Sequence, residues 1–226
     1  MAKRQLPQPL EPDEMRAILA VPNRKAPTGL RNRTLVALMA ESGLRVSEVV
    51  NLQMRSISPK RDRLRIIAGK GGDRYVPLTE AGTARLAAWL VVRDTIAPES
   101  DYVFPQLRST AYRDPHHKAD AKARGTRLST AYVRAMTARL GRKAGVERRS
   151  NPHAFRHTAA TAMVEAEYSL PEVQAMLGHR NLATTSIYLH VRNGRLAERV
   201  RRHVPDWESV QDLDVRAGSV SLPHRT

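Results

Sequence analysis

Residues 151–190 read NPHAFRHTAATAMVEAEYSLPEVQAMLGHRNLATTSIYLH, and this stretch directs the reading of the whole chain. It gathers His153, Arg156, His157 and His179, then places Tyr188 nine residues after the last histidine. Imidazoles and a guanidinium can hold the oxygens of a phosphate, and a phenol can attack its phosphorus. The stretch also carries its own helix punctuation. Pro152 suits the start of a helix running to about Ala166, and Ser169 with Glu172 forms a capping-box signal. Asn181 caps a further helix that carries Tyr188.

Two segments upstream extend the set. Arg45 lies in ESGLRVSEVVNL, between a helix that ends at Gly43 and a short amphipathic helix, with Glu48 one turn on as its structural partner. Lys70 lies in AGKGGDRYVPL, where strand-like runs flank a Gly-Lys-Gly-Gly turn, so a small antiparallel sheet places the lysine at a hairpin tip. These cations suit phosphoryl transfer to a protein tyrosine, with positioned guanidinium, imidazole and ammonium groups neutralising transition-state charge in place of magnesium. A metal is the competing use of His153 and His157, which stand at i and i+4. The zinc-protease pattern needs Glu at the second position, where this chain has Ala154, and there is no cysteine. The expectation is therefore no metal and no cofactor, with His157 a supporting or core histidine.

Composition points the same way. The chain has 31 arginines and 7 lysines against 22 acids in 226 residues, a formal net charge of +16. An excess made mostly of guanidinium grips phosphate in a fork, which favours nucleic acid as partner. Aromatics are only 4%, too few for a platform that stacks single-stranded bases, so duplex DNA held through phosphates fits better. No apolar stretch of spanning length and no signal-peptide pattern occurs, and zero cysteines exclude a disulfide scaffold or thiol nucleophile. A soluble, cytoplasmic protein is expected, with no membrane partner.

Taken in order, Gly43-Leu44-Arg45, Gly69-Lys70-Gly71 with Val76-Pro77-Leu78, His153-Ala154-Phe155-Arg156-His157-Thr158, Leu177-Gly178-His179 and Tyr188 resemble the catalytic domain of the tyrosine recombinase (phage integrase) family over roughly residues 8–205. The resemblance implies the catalytic-domain fold of that family, mainly α-helical with a small antiparallel β-sheet. It implies a site-specific recombinase or integrase that cuts and rejoins DNA through a 3′-phosphotyrosine, with a type IB topoisomerase-like enzyme or a non-catalytic DNA-binding accessory protein as alternatives. Tyr188 would be the nucleophile, Arg45 and Arg156 the clamp on the nonbridging oxygens, Lys70 the general acid, and His153 and His179 hydrogen-bond donors to the phosphate. The partners implied are double-stranded DNA and three further protomers, a homotetramer on synapsed DNA that is monomeric without it. Residues 1–10 read as a flexible lead-in, 11–205 as the domain and 206–226 as a tail. The family's usual N-terminal DNA-clamping domain, about 100 residues long, is expected to be absent or supplied by a separate partner. Two positions depart from the family pattern. Glu167 stands where a glycine usually ends the helix, leaving that turn open, and Glu41-Ser42 replaces a threonine, a change expected to be silent.

Overall fold

The computed structural model describes residues 8–67, 73–107 and 125–178. Lys70, His179, Asn181 and Tyr188 lie outside the described residues, as do residues 108–124 and the tail expected at 206–226. Seven α-helices and a two-stranded sheet make up the described part.

Most of the helices begin where a side chain at or near the cap satisfies the first amides; α2, which follows Ala26, begins with a proline instead. In α1 (Pro12–Ala20) the Glu14 carboxylate accepts from the Glu11 amide at 2.8 Å. In α4 (Glu80–Ile96), α5 (Thr130–Lys143) and α6 (Pro152–Glu165), the side chains of Thr79, Ser129 and Asn151 accept from the backbone amide three residues on. In α7 (Leu170–Leu177) the expected Ser169/Glu172 box forms in both directions. Glu167 adopts the left-handed conformation at φ 68°, and its amide donates to the Val164 carbonyl. The turn between α6 and α7 thus keeps the shape a glycine would adopt, although the residue is a glutamate.

The central element is α2 (Pro27–Ser42), which packs against α4 and α6. The helical spacing of Leu30, Leu35, Leu38 and Met39 understates its burial. Five consecutive residues, Leu35 to Met39, have 0% exposure, so the helix is enclosed on all sides at mid-length. Its N-terminal half even buries a guanidinium. Arg31 donates to the carbonyl of Pro105 at 2.9 Å and the hydroxyl of Tyr132 at 2.7 Å, and lies over the Tyr132 ring. Burial pushes the Arg31 pKa down, and these partners offset the desolvation. Glu41, at the other end of α2, accepts from Arg85 of α4 at 2.7 Å, so the departure at Glu41 joins two helices.

The sheet is the expected hairpin. Strands β1 (Arg63–Ile66) and β2 (Arg74–Pro77) pair antiparallel with Leu64 opposite Val76 and Ile66 opposite Arg74. Leu64, Ile66 and Val76 face the core and Arg63 and Arg65 face out, the alternation expected of a half-buried sheet. Trp89 of α4 is fully buried, stacks on Phe104 and donates its indole N–H to the Val103 carbonyl at 2.7 Å. Among the described residues no helix is long and apolar enough to cross a membrane.

Gly43 ends α2 at φ 64°, and a Cβ there would stand 2.3 Å from Cδ2 of Leu177. Gly43→Ala combines left-handed strain with a clash against α7, so it should cost about 1–2 kcal/mol of stability. Urea denaturation measures this, and an unchanged midpoint would contradict it.

Candidate active site

Arg45 is the N-cap residue of α3 (Val46–Val50), with φ −69° and ψ 151°, directly after the tight turn at Gly43. Its backbone amide donates to Glu48 Oε2 at 2.8 Å and its Nη1 to Glu48 Oε1 at 2.9 Å. Nη2 donates to the Gly178 carbonyl at 2.9 Å, and Nη1 lies 3.4 Å from the Leu177 carbonyl. The side chain is held at both ends yet remains 41% exposed, open to a ligand.

Arg156 arrives from α6. It is buried, with Nη1 donating to the Gly43 carbonyl at 2.5 Å and Nη2 to the Leu177 carbonyl at 2.7 Å. The two arginines therefore share one acceptor, the last residue of α7, and both stand on carbonyls freed at helix ends. A carbonyl positions a guanidinium without cancelling its charge. His153, one turn before Arg156, is exposed, whereas His157, one turn after His153, is buried in the core at 5% exposure. The two histidines at i and i+4 thus occupy different surroundings. Among the described residues no group of three or more His, Asp or Glu is placed to hold a metal ion.

Arg45, Arg156 and His153 line one cleft of about 920 Å³. The same walls carry Arg134 and Arg142 from α5 and Arg148 and Arg149 from the turn before α6, with Glu147 the only acid among the described residues that line it. Arg148 is committed to the protein, since it pairs with Glu11 at 2.8 Å and Glu14 at 3.4 Å, and the bond to Glu11 raises its pKa. A cleft lined by so many guanidinium groups is suited to a chain of phosphates.

Of the expected site residues, the structure brings Arg45, His153 and Arg156 together; Lys70, His179 and Tyr188 fall outside the described residues. Sequence reading missed the α5 arginines, although Arg134, Ala138 and Arg142 recur at four-residue spacing on one helix face. It also missed Arg74. This residue of β2 forms a fork on Glu48, Nη1 to Oε1 at 3.0 Å and Nη2 to Oε2 at 2.9 Å, and donates Nε to the Met176 carbonyl at 3.1 Å.

Glu48 therefore carries two arginines. Burial pushes its carboxyl up, but hydrogen bonds from Arg74 and from the amide and side chain of Arg45 outweigh that and hold it below the ordinary value. A depressed carboxyl stabilises the fold above its unfolded value of about 4.3, and that stability is lost as pH falls through the folded value. Glu48→Gln should accordingly be less stable than the parent at pH 7, with the gap closing only below about pH 4.5. Denaturation midpoints at pH 7, 5, 4 and 3 measure it. A gap that closes between pH 7 and pH 5 would contradict the assignment.

Residues 8–195 match the sequence model of the Phage integrase family. The chain is 34% identical over 197 residues to a protein named Tyrosine recombinase XerC from Vibrio parahaemolyticus, covering 87% of this chain and 58% of the relative. It is 32% identical over 195 residues to the protein of the same name from Proteus mirabilis, covering 86% of this chain and 58% of that one. The chain thus spans under two thirds of the length of these curated relatives. Among solved structures, that of XerA recombinase superposes with a TM-score of 0.68 at 27% identity, covering 92% of this chain and 68% of the other. The post-cleavage complex of XerH recombinase with its palindromic difH substrate superposes with a TM-score of 0.68 at 24% identity, covering 88% of this chain and 54% of the other, and carries the fold alone.

Proposed function

The chain belongs to the phage integrase family, and on that premise we propose that it is a metal-independent, site-specific DNA recombinase that cuts and rejoins strands through a 3′-phosphotyrosine. The single observation that carries the reading is the pair of guanidinium groups, Arg45 and Arg156, anchored on the Leu177 carbonyl and opening onto an arginine-lined cleft beside His153.

In this reading duplex DNA lies along the cleft, with Arg134, Arg142 and Arg149 on flanking phosphates and Arg45 and Arg156 on the nonbridging oxygens of the scissile one. Charge grows on those oxygens as phosphorus becomes pentacoordinate, so donors already in place stabilise the transition state more than the ground state. His153 and His179 add hydrogen bonds, and one of them accepts the phenolic proton of Tyr188. The Tyr188 oxygen bonds to phosphorus as the bond to the 5′-oxygen breaks, and Lys70 protonates that leaving oxygen. The products are a 3′-phosphotyrosine and a free 5′-hydroxyl. A 5′-hydroxyl from a second duplex reverses the step and returns Tyr188 to its starting form. The stored phosphodiester energy removes any need for a nucleotide cofactor. Two rounds of exchange within four protomers would complete recombination.

The direct test is covalent trapping on fragmented genomic DNA, followed by sequencing of the attached strands. A single enriched site supports a recombinase; attachment without sequence enrichment supports a relaxing enzyme, and no attachment overturns the reading. On a nicked duplex bearing the recovered site, Tyr188→Phe should abolish the covalent band while duplex affinity stays unchanged, because only the phenol oxygen reacts. An undiminished band would remove Tyr188 from the mechanism.

Lys70→Ala should cleave ordinary DNA slowly, by on the order of a hundredfold or more. A sulfur at the 5′-bridging position should restore its rate, since a thiolate leaves without an acid. Arg156→Ala should not be rescued, because it acts on the nonbridging oxygens. Equal rescue of both variants would show that Lys70 is not the acid.

A further inference from the structure

The hairpin strand β2 reaches the site through one side chain that the proposed chemistry does not use. Arg74 is 88% enclosed, with a side-chain exposure of 12%, and all three of its guanidinium nitrogens are engaged. Two grip Glu48 and the third donates to the Met176 carbonyl near the end of α7. The guanidinium also packs against Gly178, where a Cβ would stand 2.8 Å from Nη1. One group thereby joins the strand that follows Lys70, the helix that begins at Arg45, and the turn that precedes His179.

We infer that Arg74 is a positioning residue that occupies the Glu48 carboxylate so that Arg45 keeps its charge for a phosphate. The inference rests on the phosphoryl-transfer reading above. Its basis is charge counting within a half-enclosed cluster. Glu48 is 11% exposed, so its carboxylate relies mainly on protein donors. With Arg45 as its only cationic partner it would form a one-to-one ion pair, and the guanidinium would be drawn toward it and away from an incoming oxyanion. With Arg74 in fork geometry on both carboxylate oxygens, the cluster of Arg74, Glu48 and Arg45 carries a net positive charge. Arg45 then uses Glu48 for orientation only. Lysine at position 74 would supply charge but not the planar fork or the bond to Met176.

The experiment is single-turnover cleavage by the full 226-residue chain on a nicked duplex bearing the site recovered by covalent trapping, with duplex affinity measured separately. Arg74→Gln should slow formation of the covalent complex by on the order of a hundredfold, the loss typical of a misplaced catalytic group, at unchanged affinity. Adding Glu48→Gln should recover about tenfold of that loss, because a neutral amide still accepts from the Arg45 amide but no longer competes for its charge. Arg74→Lys should fall between parent and Arg74→Gln. A merely structural role would give a double variant no faster than the single one, and that result, or wild-type cleavage by Arg74→Gln, overturns the inference. Should Arg74→Gln melt below the assay temperature, the same comparison of Arg74→Lys with and without Glu48→Gln decides. Absence of a covalent product from the parent chain would defeat the recombinase reading itself, and the inference with it.

Discussion

The carbonyl of Leu177 accepts hydrogen bonds from Arg45, which follows α2, and from Arg156, which lies in α6. The segment after α2 and the consecutive helices α6 and α7 meet at this one oxygen, which is available as an acceptor because α7 stops there. The stop is local. Gly178 takes φ 65°, which frees the last carbonyls of the helix and turns the chain toward residue 179. Gly43 does the same at the end of α2, and its carbonyl supplies the other anchor of Arg156. Two left-handed glycines thus generate the acceptors that hold two arginines, and the buried length of α2 between α4 and α6 keeps those ends in register.

Arginine serves two ends in this chain. Arg31 and Arg93 are enclosed in the core and hold loops through the carbonyls of Pro105 and Tyr102. In the cleft, by contrast, guanidinium groups stand with one acid among them. The first use costs desolvation, which fixed hydrogen bonds offset at Arg31 and only in part at Arg93. The second gathers more arginines than acids on one set of walls, which favours polyanion binding. Arg45 stands between these limits, oriented by a carboxylate and two carbonyls but still 41% exposed.

Much of this was legible because it is written locally. Pro12, Ser129, Pro152 and the Ser169/Glu172 pair mark helix starts through their own backbone chemistry, and Gly43 marks an end. The hairpin follows from alternation on either side of the glycines. Arg45, His153 and Arg156 could be named before their convergence was visible, because the motifs that carry them are short. What stayed hidden were pairings across long sequence separations. Nothing around Arg74 announces a partner twenty-six residues upstream, and nothing around Arg31 announces burial on a helix rich in polar residues. The enclosure of α2 on every side likewise depends on which elements cover it, a property of topology and not of period. Glu167 is a different case: the turn imposes its left-handed backbone, and the residue yields to it.

The mix of neutral and charged partners around the two arginines has a physical logic. A carboxylate fixes a guanidinium strongly but cancels most of the field it would exert on a phosphate. A carbonyl fixes it through a dipole and leaves the net charge intact. Arg156, the more buried of the pair, donates to the carbonyls of Gly43 and Leu177, which orient it through their dipoles. Arg45 is more exposed and so takes one carboxylate, which is itself shared with Arg74. Both arrangements orient the guanidinium before any ligand arrives. Reorganisation on meeting an anion is then small, the condition under which fixed charge acts most strongly.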